Sequence, residues 1–137
     1  MPSAGYSGTP LPKKLGIKEG HRIAVIGAPG ELALGVLPIG THLQRNLAGK
    51  ALFDVVVAFV TRRADLVTRI SLCRPRMQQN AGLWIAWPKR ASGMATDITE
   101  DTVREVALPT GLVDNKVCAI DDTWSGLRLV IRKVLRT

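Results

Sequence analysis

The sequence predicts a three-layer α/β sandwich on a mostly parallel sheet, closed by a C-terminal hairpin that supplies one antiparallel strand. Three observations lead there. "DVVVAFV", residues 54–60, is apolar on both faces, the pattern of a strand buried in the middle of a parallel sheet. "GLWIAWP", residues 82–88, repeats that pattern between Gly82 and Pro88. Between the two runs the period becomes helical, with Leu66, Ile70, Cys73 and Met77 on one stripe. Strand, helix, strand is the parallel crossover unit.

The remaining elements follow in order. Residues 1–12, rich in Gly, Ser, Thr and Pro, read as an extended arm ahead of a single domain over residues 13–137. "LPKKLGI" is a short helical turn stopped near Gly16. "HRIAVIG" is a strand bounded by Gly20 and Gly27. Residues 28–40 hold three glycines and two prolines, which allow at most two turns of helix. "THLQRNL" is a short strand. After the 54–60 strand a helix runs from Arg62 to about Cys73, ended or kinked by Pro75. In "DITEDTVREVALPTG", Asp97 or Thr99 caps a helix, Glu100 and Asp101 fill its first turn, and Pro109 with Gly111 ends it. "KVCAID" and "GLRLVIRKV" are strands joined by the turn-forming "DTWSG".

Composition narrows the class. A chain of 137 residues buries a real core in one domain, and 46% apolar with 22% charged residues is ordinary for a soluble globule. "MPSAGYSGTPLPKK" lacks the apolar stretch of a signal peptide, and the longest apolar run, Val55 to Val60, is too short for a bilayer. Cys73 and Cys118 share no short spacing with each other or with His21 and His42, so neither a metal site nor a disulfide framework is expected, and the reducing cytoplasm fits. The net charge of +8 favours polyanions or phosphorylated ligands. Nucleic acid is the weaker partner: aromatics are only 4%, leaving few stacking platforms, and the basic residues are scattered in twos and threes.

This order of elements resembles a shortened Rossmann-like sheet of the S-adenosylmethionine-dependent methyltransferases. There too a buried D-V-V strand, a G-L-W strand and a closing antiparallel hairpin follow one another. "YSGTPLPKKLGIK", "FVTRRADL", "GLWIAWPKRASG" and "EVALPTGLVDNKVCAIDDTWSGLRLV", between Tyr6 and Arg132, resemble a family of small bacterial proteins known as a domain of unknown function. That resemblance implies a stand-alone cytoplasmic α/β domain with no assigned reaction. Residues 31–50 carry none of its motifs.

"VIGAPGELALG", residues 25–35, invites comparison with a phosphate loop. The dinucleotide pattern needs three glycines, for the tight turn, the approach to pyrophosphate and helix packing. Gly27 fits the first role, but Pro29 and Leu32 occupy the other two positions. The acid expected after the second strand is replaced by Gln44, Arg45 and Asn46. The methyltransferase form of the loop fails on the same counts, so no cofactor is expected. Pro29 is placed to begin a short helix whose first N–H groups favour an anion.

Ligands of open parallel sheets bind where loops leave the carboxyl ends of the strands. Four loops would share that edge: Gly27 to Gly30; Thr61, Arg62 and Arg63; Trp87 with Lys89 and Arg90; and Asp121 through Trp124 and Ser125. Arginine forks, lysine charge and indole walls suit an anionic ligand. The same residues also fit an internal network in which Asp121 or Asp122 neutralises Arg62 and Arg63, Trp87 caps the core and Trp124 pins the hairpin. Cys118 reads as a small buried residue. His21, His42, Asp114, Asn115 and Lys116 belong to the opposite edge, the last three as turn formers. No nucleophile elbow and no paired carboxylates are visible, so no catalytic residue is assigned. The sequence alone favours a non-catalytic binding or regulatory module for an anionic small molecule or an acidic protein partner. A divergent methyltransferase-like enzyme and charge-driven nucleic-acid binding are the alternatives. Either a monomer or a homodimer is compatible.

Overall fold

Six of the seven residues of β3 (Phe53–Phe59) are buried, and the other elements are arranged around that strand. The structure is a computed structural model that describes residues 9–30, 32 and 34–137; residues 1–8 of the expected arm lie outside the described residues. The sheet holds six strands in the order β2-β1-β3-β4-β6-β5. These are β1 (Arg22–Ile26), β2 (His42–Gln44), β3, β4 (Met77–Pro88), β5 (Leu112–Ala119) and β6 (Trp124–Ile131). The β1–β2, β1–β3 and β3–β4 pairs are parallel, whereas β6 runs antiparallel to both β4 and β5. The predicted fold class is therefore the observed one.

Alternation along the strands divides the core in two. Phe53, Val56, Ala58, Leu83, Ile85, Leu127 and Leu129 face α2 (Arg63–Cys73) and α3 (Glu100–Ala107), whose Leu66, Ile70 and Val103 are fully buried. Ile23, Val25, Val55, Val57, Trp84 and Trp124 face the other side, covered by α1 (Leu11–Leu15) and Leu34. The Trp84 indole fastens α1 down by donating Nε1–H to the Leu15 carbonyl at 3.0 Å. Gly16 ends α1 at φ +80°, a left-handed cap that suits glycine. Thr99, rather than Asp97, caps α3: its hydroxyl accepts from the Thr102 N–H, and the Thr102 hydroxyl accepts from the Thr99 N–H.

Four local expectations are corrected. Pro29 does not begin a short helix: the described residues of 28–40 form none, within the limit of two turns, because Gly35 and Gly40 take left-handed backbone and Pro38 removes a donor. Pro75 breaks α2 into a 3-10 turn at Arg74–Arg76, so Met77 begins β4 instead of ending the helical stripe. Asp114, Asn115 and Lys116 lie inside β5, where the register shifts between Asp114 and Lys116, and not in a turn before it. Trp124 and Ser125, read as turn residues, are the first rungs of β6.

Candidate functional site

The parallel strands β1, β3, β4 and β5 end on one edge, and antiparallel β6 begins there, so all four expected loops do share it. Lys89 N–H donates to the Thr123 carbonyl at 2.7 Å, which fastens the β4 loop to the hairpin turn. Within that edge the loops divide into two clefts and a structural corner.

The first cleft, about 480 Å³, lies against the end of β1. Val25, Gly27, Ala28, Pro29, Gly30 and Arg45 are among its lining residues. Gly27 sits at φ +68°, and a Cβ there would stand 3.0 Å from the Phe59 carbonyl oxygen. The crossing of the β1 and β3 ends therefore favours glycine, because any other side chain would be strained by the left-handed backbone and would press on that carbonyl. A guanidinium nitrogen of Arg69 on α2 would lie 3.6 Å from the same Cβ, and Arg69 Nε is buried with no hydrogen-bond partner among the described residues. A buried donor without a partner costs on the order of 1–3 kcal/mol. Arg69 was not among the residues expected from the sequence. Its only signal there is a basic residue flanked by Thr68 and Ile70 on an otherwise amphipathic helix.

The second cleft, about 600 Å³, lies over the β4–α3 connection and includes Trp87, Arg90, Met94, Thr96, Asp97 and Glu100 in its lining. Its wall is tied to the end of β3. The Thr96 hydroxyl donates to the Thr61 carbonyl at 2.6 Å, and Asp97 Oδ1 accepts the Arg63 N–H at 2.7 Å. The stretch Phe59–Thr61 therefore separates the clefts, one carbonyl beside Gly27 and the other held by Thr96. Glu100 is bound by the Arg104 guanidinium, which also reaches Asp101 and Asp114.

Arg62 is exposed at the α2 N-terminus, and the exposed Arg63 side chain meets Glu105 at 3.8 Å. The acids near this pair are thus Asp97 and Glu105, and not Asp121 or Asp122. Asp121 Oδ1 accepts the N–H groups of Thr123 and Trp124, both at 2.8 Å, and so shapes the hairpin turn. Trp124 is buried with its ring edge-on to Phe59, centroids 5.1 Å apart. Ser125 takes its place in the ladder between Trp87 and Ala119. Trp87 is 7% exposed, so it belongs to the core while its edge lines the second cleft.

The two cysteines are unpaired, Cys73 buried and Cys118 half-buried. Burial pushes the Cys73 thiol up to about 11 and raises Cys118 as well, so neither forms a thiolate nucleophile at neutral pH. No metal-binding cluster of His, Cys, Asp and Glu occurs among the described residues. Nor is any described helix long and apolar enough to cross a membrane.

No family model and no curated protein matches the chain. Solved structures do. A S-adenosylmethionine-dependent methyltransferase from Aquifex aeolicus is 13% identical with a TM-score of 0.58, the match covering 87% of each chain. Fibrillarin from Aeropyrum pernix, solved with natively bound S-adenosyl-L-methionine, is 14% identical with a TM-score of 0.57, over 92% of this chain and 70% of that one. The ribosomal protein L11 methylase of Lactobacillus delbrueckii subsp. bulgaricus is 10% identical with a TM-score of 0.57, over 89% and 75%. At such identities the likeness establishes the fold. It also corrects the functional expectation: these neighbours are enzymes, and the non-catalytic binding or regulatory module gives way to the methyltransferase-like alternative. The chain is similar, over most of its length, to Rossmann-like S-adenosylmethionine-dependent methyltransferases.

Proposed function

We propose that the chain is a divergent methyltransferase-like enzyme that takes S-adenosylmethionine at the crevice between the carboxyl ends of β1 and β3. The observation that carries this reading is the juxtaposition of Gly27 and Arg69: a left-handed turn crowded by the Phe59 carbonyl, where a Cβ would stand 3.6 Å from a terminal guanidinium nitrogen of Arg69, whose Nε has no hydrogen-bond partner among the described residues. Strand order favours the same place. From β1 the chain continues to β2 on one side and β3 on the other, and ligands of open sheets bind at such a switch point.

S-adenosylmethionine supplies a methyl group on a sulfonium centre, open to attack by a nucleophile. The residues fit it through donors. Arg69 stands beside Gly27 and behind the lining of the cleft, and its terminal N–H groups would meet the carboxylate at the amino-acid end of the ligand. The Gly27–Gly30 turn lets backbone lie against the nucleoside, and a cleft of about 480 Å³ is within the range of small-molecule sites. Arg45 replaces the acid expected after β2, so ribose oxygens would accept from a guanidinium instead of donating to a carboxylate. The acceptor substrate would occupy the second cleft, against Trp87, Arg90 and Met94. There Asp97, with only Oδ1 engaged among the described residues, is the carboxylate placed to take the proton the acceptor loses. A cytoplasmic setting suits the two unpaired thiols.

Calorimetric titration with S-adenosylmethionine tests the reading. Saturable one-to-one binding, weakened about tenfold by Arg69→Met, is the expected result. No heat and no thermal shift at millimolar ligand would reject it.

A further inference from the structure

The amino-terminal edge of the sheet holds a third cleft, on the α1 face, of about 360 Å³. Five of its lining side chains are cationic, Lys13, Lys14, Lys18, Lys116 and Arg128, against one carboxylate, Asp54. That carboxylate is already engaged, its Oδ2 accepting the Arg22 N–H at 2.8 Å. Lys14 Nζ donates to the Ala119 carbonyl at 2.6 Å and helps hold α1 over the sheet.

Arg128 is the group that the fold has arranged with most care. It lies flat across β4, where Gly82 makes the room: a Cβ there would stand 2.5 Å from Arg128 Nε. Its cross-strand partner in β5 is Lys116, a like charge directly opposite, which is unfavourable unless an anion compensates. No carboxylate pairs with Arg128 among the described residues, and its hydrogen bond to Asn115 Oδ1 is long at 3.4 Å. Asn115 is the residue at the β5 irregularity, and bulges of this kind re-aim a side chain. Burial, together with the charge of Arg136, holds the Arg128 pKa below that of an ordinary arginine.

We propose that this cleft binds a small polyanion through a diphosphate group, at a site distinct from the methyl-transfer crevice on the opposite edge. Two phosphates carry roughly three to four negative charges, which matches the cationic excess of the lining. The arginine fork can take two oxygens of one phosphate, and Lys13 and Lys18 in the same lining add point charges, with Lys116, whose Nζ donates to the Lys14 carbonyl at 3.3 Å, as a third. The Asn80 and Asn115 amides add neutral donors. The volume suits a small ligand better than a polymer backbone.

Titration with inorganic pyrophosphate at low ionic strength, followed by amide chemical shifts, is the test. Expected are shifts confined to residues 13–18, 54–55, 80–82, 115–116 and 128, with affinity at least tenfold weaker in Arg128→Gln and in Gly82→Ala, where the new methyl displaces the guanidinium. Arg62→Gln removes the same charge from the opposite edge and should leave the affinity unchanged. Circular dichroism and the unfolding midpoint check that each variant is folded. The proposal is overturned by absence of binding at 10 mM pyrophosphate in folded wild-type protein, or by equal losses in Arg128→Gln and Arg62→Gln. It is equally overturned if a single-stranded oligonucleotide binds while pyrophosphate does not.

Discussion

Asp97 Oδ1 accepts the backbone N–H of Arg63 at 2.7 Å, so the loop after β4 caps the helix that follows β3. The helix needs that help: its own N-cap residue, Arg62, makes no side-chain cap, and Arg62 and Arg63 oppose the helix dipole. Through this bond, and through Thr96 on the Thr61 carbonyl, the wall of the second cleft is locked to the strand that borders the first. Asp97→Ala should therefore cost about 1–2 kcal/mol, read as a lower denaturant midpoint. Asp97→Asn keeps an acceptor and should lose less than half as much. Equal losses would assign the effect to charge alone.

Arg69→Met separates stability from binding. Removing an unpartnered buried donor should leave the unfolding midpoint unchanged or raise it, by up to about 1 kcal/mol. Affinity for S-adenosylmethionine should fall about tenfold in the same variant. A large loss of stability would mean that Arg69 serves the fold and not a ligand.

Gly27→Ala should destabilise by roughly 1–2 kcal/mol, since a left-handed backbone disfavours a Cβ. Contact with the Phe59 carbonyl at 3.0 Å adds to this, because a backbone oxygen in the sheet has nowhere to move. Gly30→Ala, where a Cβ meets nothing within 4 Å, is the control and should be close to neutral.

Cys73 gives the protein an alkaline weakness. Burial raises its thiol from 9.0 to about 11, so between those values the unfolded chain has lost the proton that the folded chain retains. Stability from this group is full below pH 9 and is lost as pH rises through 11, amounting to about 2–3 kcal/mol. Chemical denaturation from pH 8 to 11 should show a decline that is flatter in Cys73→Ala, whatever that variant's stability at pH 8.

The parallel centre of the fold is legible in the sequence because β3 and β4 are buried on both faces, which leaves an uninterrupted apolar run. α3 is equally legible from Thr99, its acidic first turn and Gly111. Polar starts of strands are not: "MQQNA" at the beginning of β4 and "DNK" within β5 take strand geometry from their neighbours, with several side chains toward solvent. The shared carboxyl edge follows from strand direction alone. Its division into two clefts does not, since that depends on Asp97 and Thr96 crossing to β3, a contact between residues 34 and 35 positions apart. Arg69 and Arg128 are invisible for a similar reason. Each acquires meaning from a glycine on another element, Gly27 for one and Gly82 for the other.

The most direct measurement on the methyltransferase reading is an amide chemical-shift titration of the labelled protein with S-adenosylmethionine. The account predicts saturable shifts at Gly27, Ala28, Gly30, Arg45 and the Arg69 turn of α2. Shifts confined to Lys13–Lys18 and Asn115–Lys116, or none at millimolar ligand, would contradict it.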